Sequence, residues 1–235
     1  MKQTFIVFLL SFLVLSAAAQ DEAKTATRHW RPKYRNLNFN SEKITLDGFS
    51  LDSKFGAAFT TGRTYFLHKT PILRMIRIGI DATWFDISYA NYKTQWLDYG
   101  DEDYYSYDDY YGDDEDYDDE ITIHKAEIGM QVGPSVTVNP VDKLNVHGYF
   151  RYAPTFAMMY DDDAFRGNYA SMFVTGISLS YGAIGFGIEK RWGTCKYKEL
   201  FSDSDDDYDY DYSSPDAFKW KTSGLRVYLS FRFKH

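Results

Sequence analysis

Two groups of residues in this chain have types and spacings that suit chemistry. The first is carboxylates interleaved with phenols. Residues 98–120 hold 13 acidic side chains and seven tyrosines, Asp161 to Asp163 add three acids, and residues 203–216 add seven more. In the last stretch Tyr208, Tyr210 and Tyr212 alternate with Asp. Clustered carboxylate oxygens suit hard cations such as Ca²⁺ or Mg²⁺. No Asp-x-Asp-x-Asp-Gly run with a distal Glu is present, so no defined metal site is spelled out and the metal question stays open. The plain expectation is self-repelling, hydrated loops. Weak divalent-cation binding and a tyrosine-rich adhesive surface are the alternatives.

The second group is Asp81, Glu127 and His147, which would make an acid–base site only if the fold brought them together. His29, His68, His124, His147 and His235 lack zinc spacing, and Cys195 has no CxxC partner. His147 is expected to make a satisfied hydrogen bond near Arg151. Gly185 and Gly187 fall inside an alternating strand, so they mark small side-chain positions rather than a phosphate loop. No catalytic residue and no cofactor are assigned on these grounds.

The elements that would position such groups are announced by charge and periodicity. The chain has 235 residues, 26 basic and 34 acidic, for a formal charge of −8. The acidic patches hold 23 of the 34 acids, so the rest carries 26 bases against 11 acids, a formal +15. Such segregation implies a molecule with two different ends, and the acidic patches exclude nucleic acid as a partner there. Lys2, the apolar run Phe5 to Ala17 and the small residues Ala17-Ala18-Ala19 read as a signal peptide over residues 1–19. No later stretch supplies the roughly 20 apolar residues of a transmembrane helix. Residues 20–42 read as a polar lead-in, whose bases Lys24, Arg28, Arg31, Lys33 and Arg35 suit either a solvated linker or a membrane surface.

From Lys54 onward the chain alternates with period two, the signature of β-structure. Ala126, Ile128, Met130, Val132, Val136 and Val138 share one face, against Glu127, Gly129, Gln131, Gly133, Ser135 and Thr137. The same rule sets Ile76, Ile78, Ile80, Ala82 and Trp84 against Arg77, Gly79, Asp81 and Thr83. It recurs at 144–152, 173–181, 184–189 and 225–233. The connections read as alternately short and long, as in an up-and-down meander whose long loops gather at one end. A narrow barrel with its apolar face outward fits the polar face best, because that face mixes Gly and Ser with Arg77, Asp81, Glu127, Arg151, Glu189, Arg191, Arg226 and Arg232. Aromatics near strand ends (Trp84, Phe85, Tyr89, Tyr152, Tyr160, Tyr181, Trp192, Phe233) fit the girdles of a membrane barrel. Seven strands are readable to Phe233. With both termini at the short-turn end the number must be even, which makes Lys43 to Leu51, turning at Asp52-Ser53, the eighth.

Over residues 43–235 the chain resembles the small outer-membrane β-barrel proteins of Gram-negative bacteria, the outer-membrane protein A and X type. The sharpest element is the terminal strand Leu225-Arg-Val-Tyr-Leu-Ser-Phe-Arg-Phe233. Family members usually end on that aromatic, whereas here Lys234 and His235 follow it. The resemblance implies an all-β, antiparallel transmembrane barrel of about eight strands, a side-chain-filled lumen, an outer-membrane location and a lipid environment. Some members are lipid-modifying enzymes or proteases. The deacylase type uses a His-x-Ser pair, but here His124 is followed by Lys-Ala and His147 by Gly-Tyr, so that pair is absent. The expected role is structural or surface-interactive, with divalent cations or surface partners at the acidic loops. An envelope lipid-modifying enzyme and a secreted, soluble ligand-binding barrel are the alternatives.

Overall fold

A computed structural model describes residues 30–46, 49–95, 120–141, 143–160, 165–200 and 218–234. Residues 1–19, expected to be a signal peptide, and most of the acidic stretches around 98–120, 161–163 and 203–216 lie outside the described residues.

The elements are β1 (Lys33–Leu46), β2 (Phe49–Phe66), β3 (Ile76–Gln95), β4 (Glu120–Val138), β5 (Leu144–Tyr160), β6 (Phe165–Tyr181), β7 (Ile184–Glu199) and β8 (Phe218–Phe233). Each strand pairs antiparallel with its chain neighbours, and β1 pairs with β8 from Lys33↔Phe233 to Thr45↔Lys221, so the sheet closes into an up-and-down barrel. Closure satisfies the edge donors and acceptors that an open sheet would leave unpaired. Lys33 and Phe233 face each other at the end that also carries the β2–β3, β4–β5 and β6–β7 connections. The strand number and the parity argument for it therefore hold.

The first strand differs from expectation. It begins at Lys33, inside the stretch read as a polar lead-in, and the chain reverses between Leu46 and Phe49 rather than at Asp52-Ser53. Its inward positions are Tyr34, Asn36, Asn38, Glu42 and Ile44, while Lys33, Arg35, Leu37, Phe39 and Lys43 face out. Apolar alternation is invisible there because polar residues fill the inner face and cations hold part of the outer one. Asp52-Ser53 is part of a bulge in β2. Phe39 pairs with Ala57 and Lys43 with Asp52, one more residue on β2 than on β1, and the Glu42 amide donates to Ser53 Oγ at 2.9 Å. A bulge breaks the period-two pattern as a turn does. The strict alternation of short and long connections also fails, because two short connections lie at the long-loop end: 47–48 between β1 and β2, and 161–164 between β5 and β6, where Phe165 to Tyr169 continue the strand instead of the loop.

A second bulge matters more. Thr83 pairs with Gln131 and Asp86 with Gly129, so Trp84 and Phe85 both face outward and Asp86 is returned to the lumen. Elsewhere the expected faces hold. Gly185 and Gly187 face the lumen, and a Cβ on Gly187 would collide with the ring of Tyr228.

Candidate functional site

The densest chemistry lies inside the barrel. Among the described residues ten acidic and basic side chains, besides His147, are buried there: Glu42, Asp81, Asp86, Glu127 and Glu189 against Lys125, Arg151, Arg191, Arg226 and Arg232. Five carboxylates face five cations, so the lumen is formally neutral. Burying a charge is costly unless it is paired and hydrogen-bonded, and the pairing here is nearly continuous. Lys125 Nζ, near the long-loop end, lies 2.8 Å from Glu42 and 2.9 Å from Glu127. Glu127 meets Arg191 at 3.0 Å, and Arg191 meets Asp86 at 3.3 Å. Arg226 joins Asp86 at 3.3 Å to Glu189 at 3.4 Å. Tyr149 donates to Glu189 at 2.6 Å and stacks under Arg151, whose guanidinium carbon is 3.6 Å from the ring centroid. Arg151 then reaches Asp81 at 2.6 Å. Above this network Ile44, Tyr92, Met159, Met172, Cys195 and Tyr197 form a buried apolar layer.

The acid–base trio is only partly assembled. His147 Nε2 lies 2.9 Å from Asp81 Oδ2, and its Nδ1 lies 2.8 Å from Thr137 Oγ1. Glu127 is held elsewhere by Lys125, Arg191 and Ser88. Thr137, His147 and Asp81 have the connectivity of a nucleophile, base and orienting acid. All three are at most 2% exposed, and Asp81 is already neutralised by Arg151. The arrangement reads as a satisfied interior histidine, with Thr137 as the partner that sequence reasoning did not name. Sequence reasoning also missed Glu42, Asp86 and Lys125. The signal available for Asp86 was the broken alternation at the adjacent aromatics Trp84-Phe85. Among the described residues no group of three His, Cys, Asp or Glu is placed to hold a metal ion.

Arg77, expected on the polar face, sits at the short-turn rim. Its Nη2 donates to the Lys69 carbonyl at 2.9 Å and its guanidinium lies 4.3 Å from the Trp30 ring centroid. The outer wall is the reverse of the lumen. Leu37, Phe39, Ile78, Ile80, Ile87, Ile128, Met130, Val132, Phe156, Ile177, Phe186 and Val227 all face outward and are exposed. Of the expected girdle aromatics, Trp84, Phe85, Tyr89, Tyr152, Tyr160, Tyr181 and Phe233 are exposed on the wall, and Trp192 packs with Phe173 and Phe150. This is an inverted barrel. Its apolar atoms face the surroundings and its ions face one another, opposite to a soluble barrel that holds a ligand in an apolar interior.

No family model matches the chain, and no curated protein does. Solved structures similar to the inverted barrel include Neisserial surface protein A, at 12% identity and TM-score 0.44 over 86% of this chain and 97% of the other. Ail, the attachment invasion locus protein of Yersinia pestis, solved with the heparin analogue sucrose octasulfate, is similar at 11% identity and TM-score 0.41, over 87% and 100%. The outer-membrane protease OmpT from Escherichia coli is similar at 10% identity and TM-score 0.44, over 89% and 99%.

Proposed function

We propose that this chain is an outer-membrane protein whose lumen is a structural, self-neutralised core and whose acidic, tyrosine-rich segments act at the cell exterior. The observation that carries this reading is the inversion of the barrel: a continuous apolar outer wall around an interior in which nine of ten buried charges are paired with one another. A wall of that kind exceeds the apolar patches a monomeric soluble protein tolerates in water, whereas hydrocarbon solvates it at no cost. Strands of 14 to 20 residues exceed the roughly 9–11 needed to cross the hydrocarbon, so their ends reach the interfaces. Ion pairs and tyrosines fill the lumen, which favours a closed plug over a conducting pore.

The segments 96–119 and 201–217 join strand ends at the rim opposite Lys33 and Phe233. Their carboxylates and phenols suit divalent cations and surface partners, and they give the protein a structural or surface-interaction role. The outer-membrane reading is tested by fractionation. The mature protein is expected with outer membranes after alkaline extraction, and recovery as soluble periplasmic or secreted protein would refute it. The surface role is tested by binding of Ca²⁺ to the parent and to a protein lacking residues 99–119; equal binding refutes a role for that segment.

A further inference from the structure

A second feature lies on the outer wall, near the short-turn end. Lys33 of β1 stands directly opposite Arg63 of β2, and Arg35 lies two residues along the same outward face. Like charges directly opposite on one face of a sheet destabilise it. No carboxylate answers them among the described residues. Arg35 rests 5.6 Å from the Phe233 ring centroid, and Arg63 rests 5.3 Å from that of Tyr65, which meets Trp84 edge-on at 6.2 Å. These side chains line a groove of about 420 Å³ that crosses β8, β1, β2 and β3. Along β1 the outward apolar residues Leu37 and Phe39 lie between Arg35 and Lys43. Eight residues at about 3.3 Å each make about 26 Å of strand, or about 20 Å of height at a tilt of about 40°, a little less than the roughly 25 Å apolar band of such barrels. Arg35 therefore lies at the margin of the band, from which its long side chain extends to the lipid phosphates.

We infer that this groove binds the phosphate headgroup of an anionic glycerophospholipid in the leaflet at the short-turn end. Lys33, Arg35 and Arg63 supply the cations, and Tyr65, Trp84 and Phe233 supply the wall against which the glycerol and first acyl carbons lie. The guanidinium groups suit a phosphodiester because their N–H donors match two phosphate oxygens at once. The bound anion also relieves the Lys33–Arg63 opposition, which gives the lipid a reason to stay. Divalent cations would be repelled here, so the site is distinct in kind from the acidic segments at the other rim.

This inference rests on the membrane reading, and one experiment separates the two. The full mature chain is inserted into phosphatidylcholine vesicles, and insertion is read by heat-modifiable gel migration. Brominated phosphatidylglycerol or brominated phosphatidylcholine is then added at equal mole fraction, and the tryptophan quenching lost in W84F is taken as the signal at the groove. The expected result is at least about tenfold enrichment of the anionic lipid around Trp84, since each cation near a lipid surface contributes appreciably. R35Q/R63Q and, separately, K33Q should insert normally and lose most or all of that preference. Equal quenching by both lipids overturns the inference and leaves the membrane reading standing, while failure of the parent to insert overturns both. Loss of the preference to millimolar inorganic phosphate, at constant ionic strength, would assign the groove to a free anion and overturn the lipid.

Discussion

Lys125→Met tests whether the lumen is a dry, charge-balanced core. Lys125 is 1% exposed, and its ammonium bridges Glu42 at 2.8 Å and Glu127 at 2.9 Å. Without it Glu127 keeps Arg191 at 3.0 Å and the Ser88 hydroxyl at 3.1 Å, whereas Glu42 keeps only the Tyr92 hydroxyl at 2.9 Å. The interior changes from five acids and five bases to five and four, with Glu42 the uncompensated charge. Breaking a buried pair by removing one partner costs about 3–5 kcal/mol. Glu42 lies at 9% exposure, near the edge of the network, which places the cost at the lower end of that range, about 3 kcal/mol. Glu42→Gln in the same chain restores four against four and leaves an amide oxygen for Tyr92. The double variant is therefore expected within about 1 kcal/mol of the parent, recovering about 2 kcal/mol of the loss in the single variant. Urea unfolding from lipid vesicles measures this, with the folded fraction read by heat-modifiable migration and the denaturant slope checked for constancy. A cost below about 1 kcal/mol for the single variant would mean that water screens the site, and the packed-lumen argument would fail. If the double variant is as unstable as the single one, lost volume and not charge is the cause.

Ile128→Arg and Val227→Arg place a cation on the exposed apolar wall and should each cost about 2–4 kcal/mol at mid-membrane, enough to block stable insertion; tolerance of both would mean the faces are reversed. Gly187→Val drives a side chain into the ring of Tyr228, whose hydroxyl is hydrogen-bonded to the Tyr149 hydroxyl at 3.0 Å, and overpacking of this kind costs about 1–3 kcal/mol. Unchanged unfolding of Gly187→Val would remove Tyr228 from its assigned place. Deleting Tyr99 to Asp119 should leave folding intact, since loop closure changes by only about 0.6 kcal/mol per doubling of length, while removing negative charge from that rim. Failure of this deletion protein to migrate as a folded barrel would show that the segment is part of the ordered structure.

The parts of the molecule that were readable from residue order are those where one face is apolar and the other is not. β4 and β5 showed their faces residue by residue, because Ile128, Met130 and Val132 alternate with Glu127, Gln131 and Gly133, and Val146 and Phe150 with His147 and Arg151. β1 is not legible in this way because Asn36, Asn38 and Glu42 inside, with Lys33 and Arg35 outside, carry no apolar contrast. The bulges hid two further facts. Asp52-Ser53 mimicked a turn, and the extra residue at Trp84-Phe85 concealed that Asp86 points inward.

Residue order by itself determined that the chain is all-β, that it has an even number of strands, and which face of most strands is apolar. Those properties are local or follow from counting, so period-two alternation and turn spacing carry them. Only the tertiary structure decided which interior charges meet. Lys125 and Glu42 are 83 residues apart, and Arg226 and Asp86 are 140 apart, yet each pair shares a hydrogen bond. Barrel closure, strand stagger and two bulges set those meetings. The same closure placed Lys33 and Arg35, at the start of the sheet, beside Arg63 and Phe233 and so built a groove that no single strand contains.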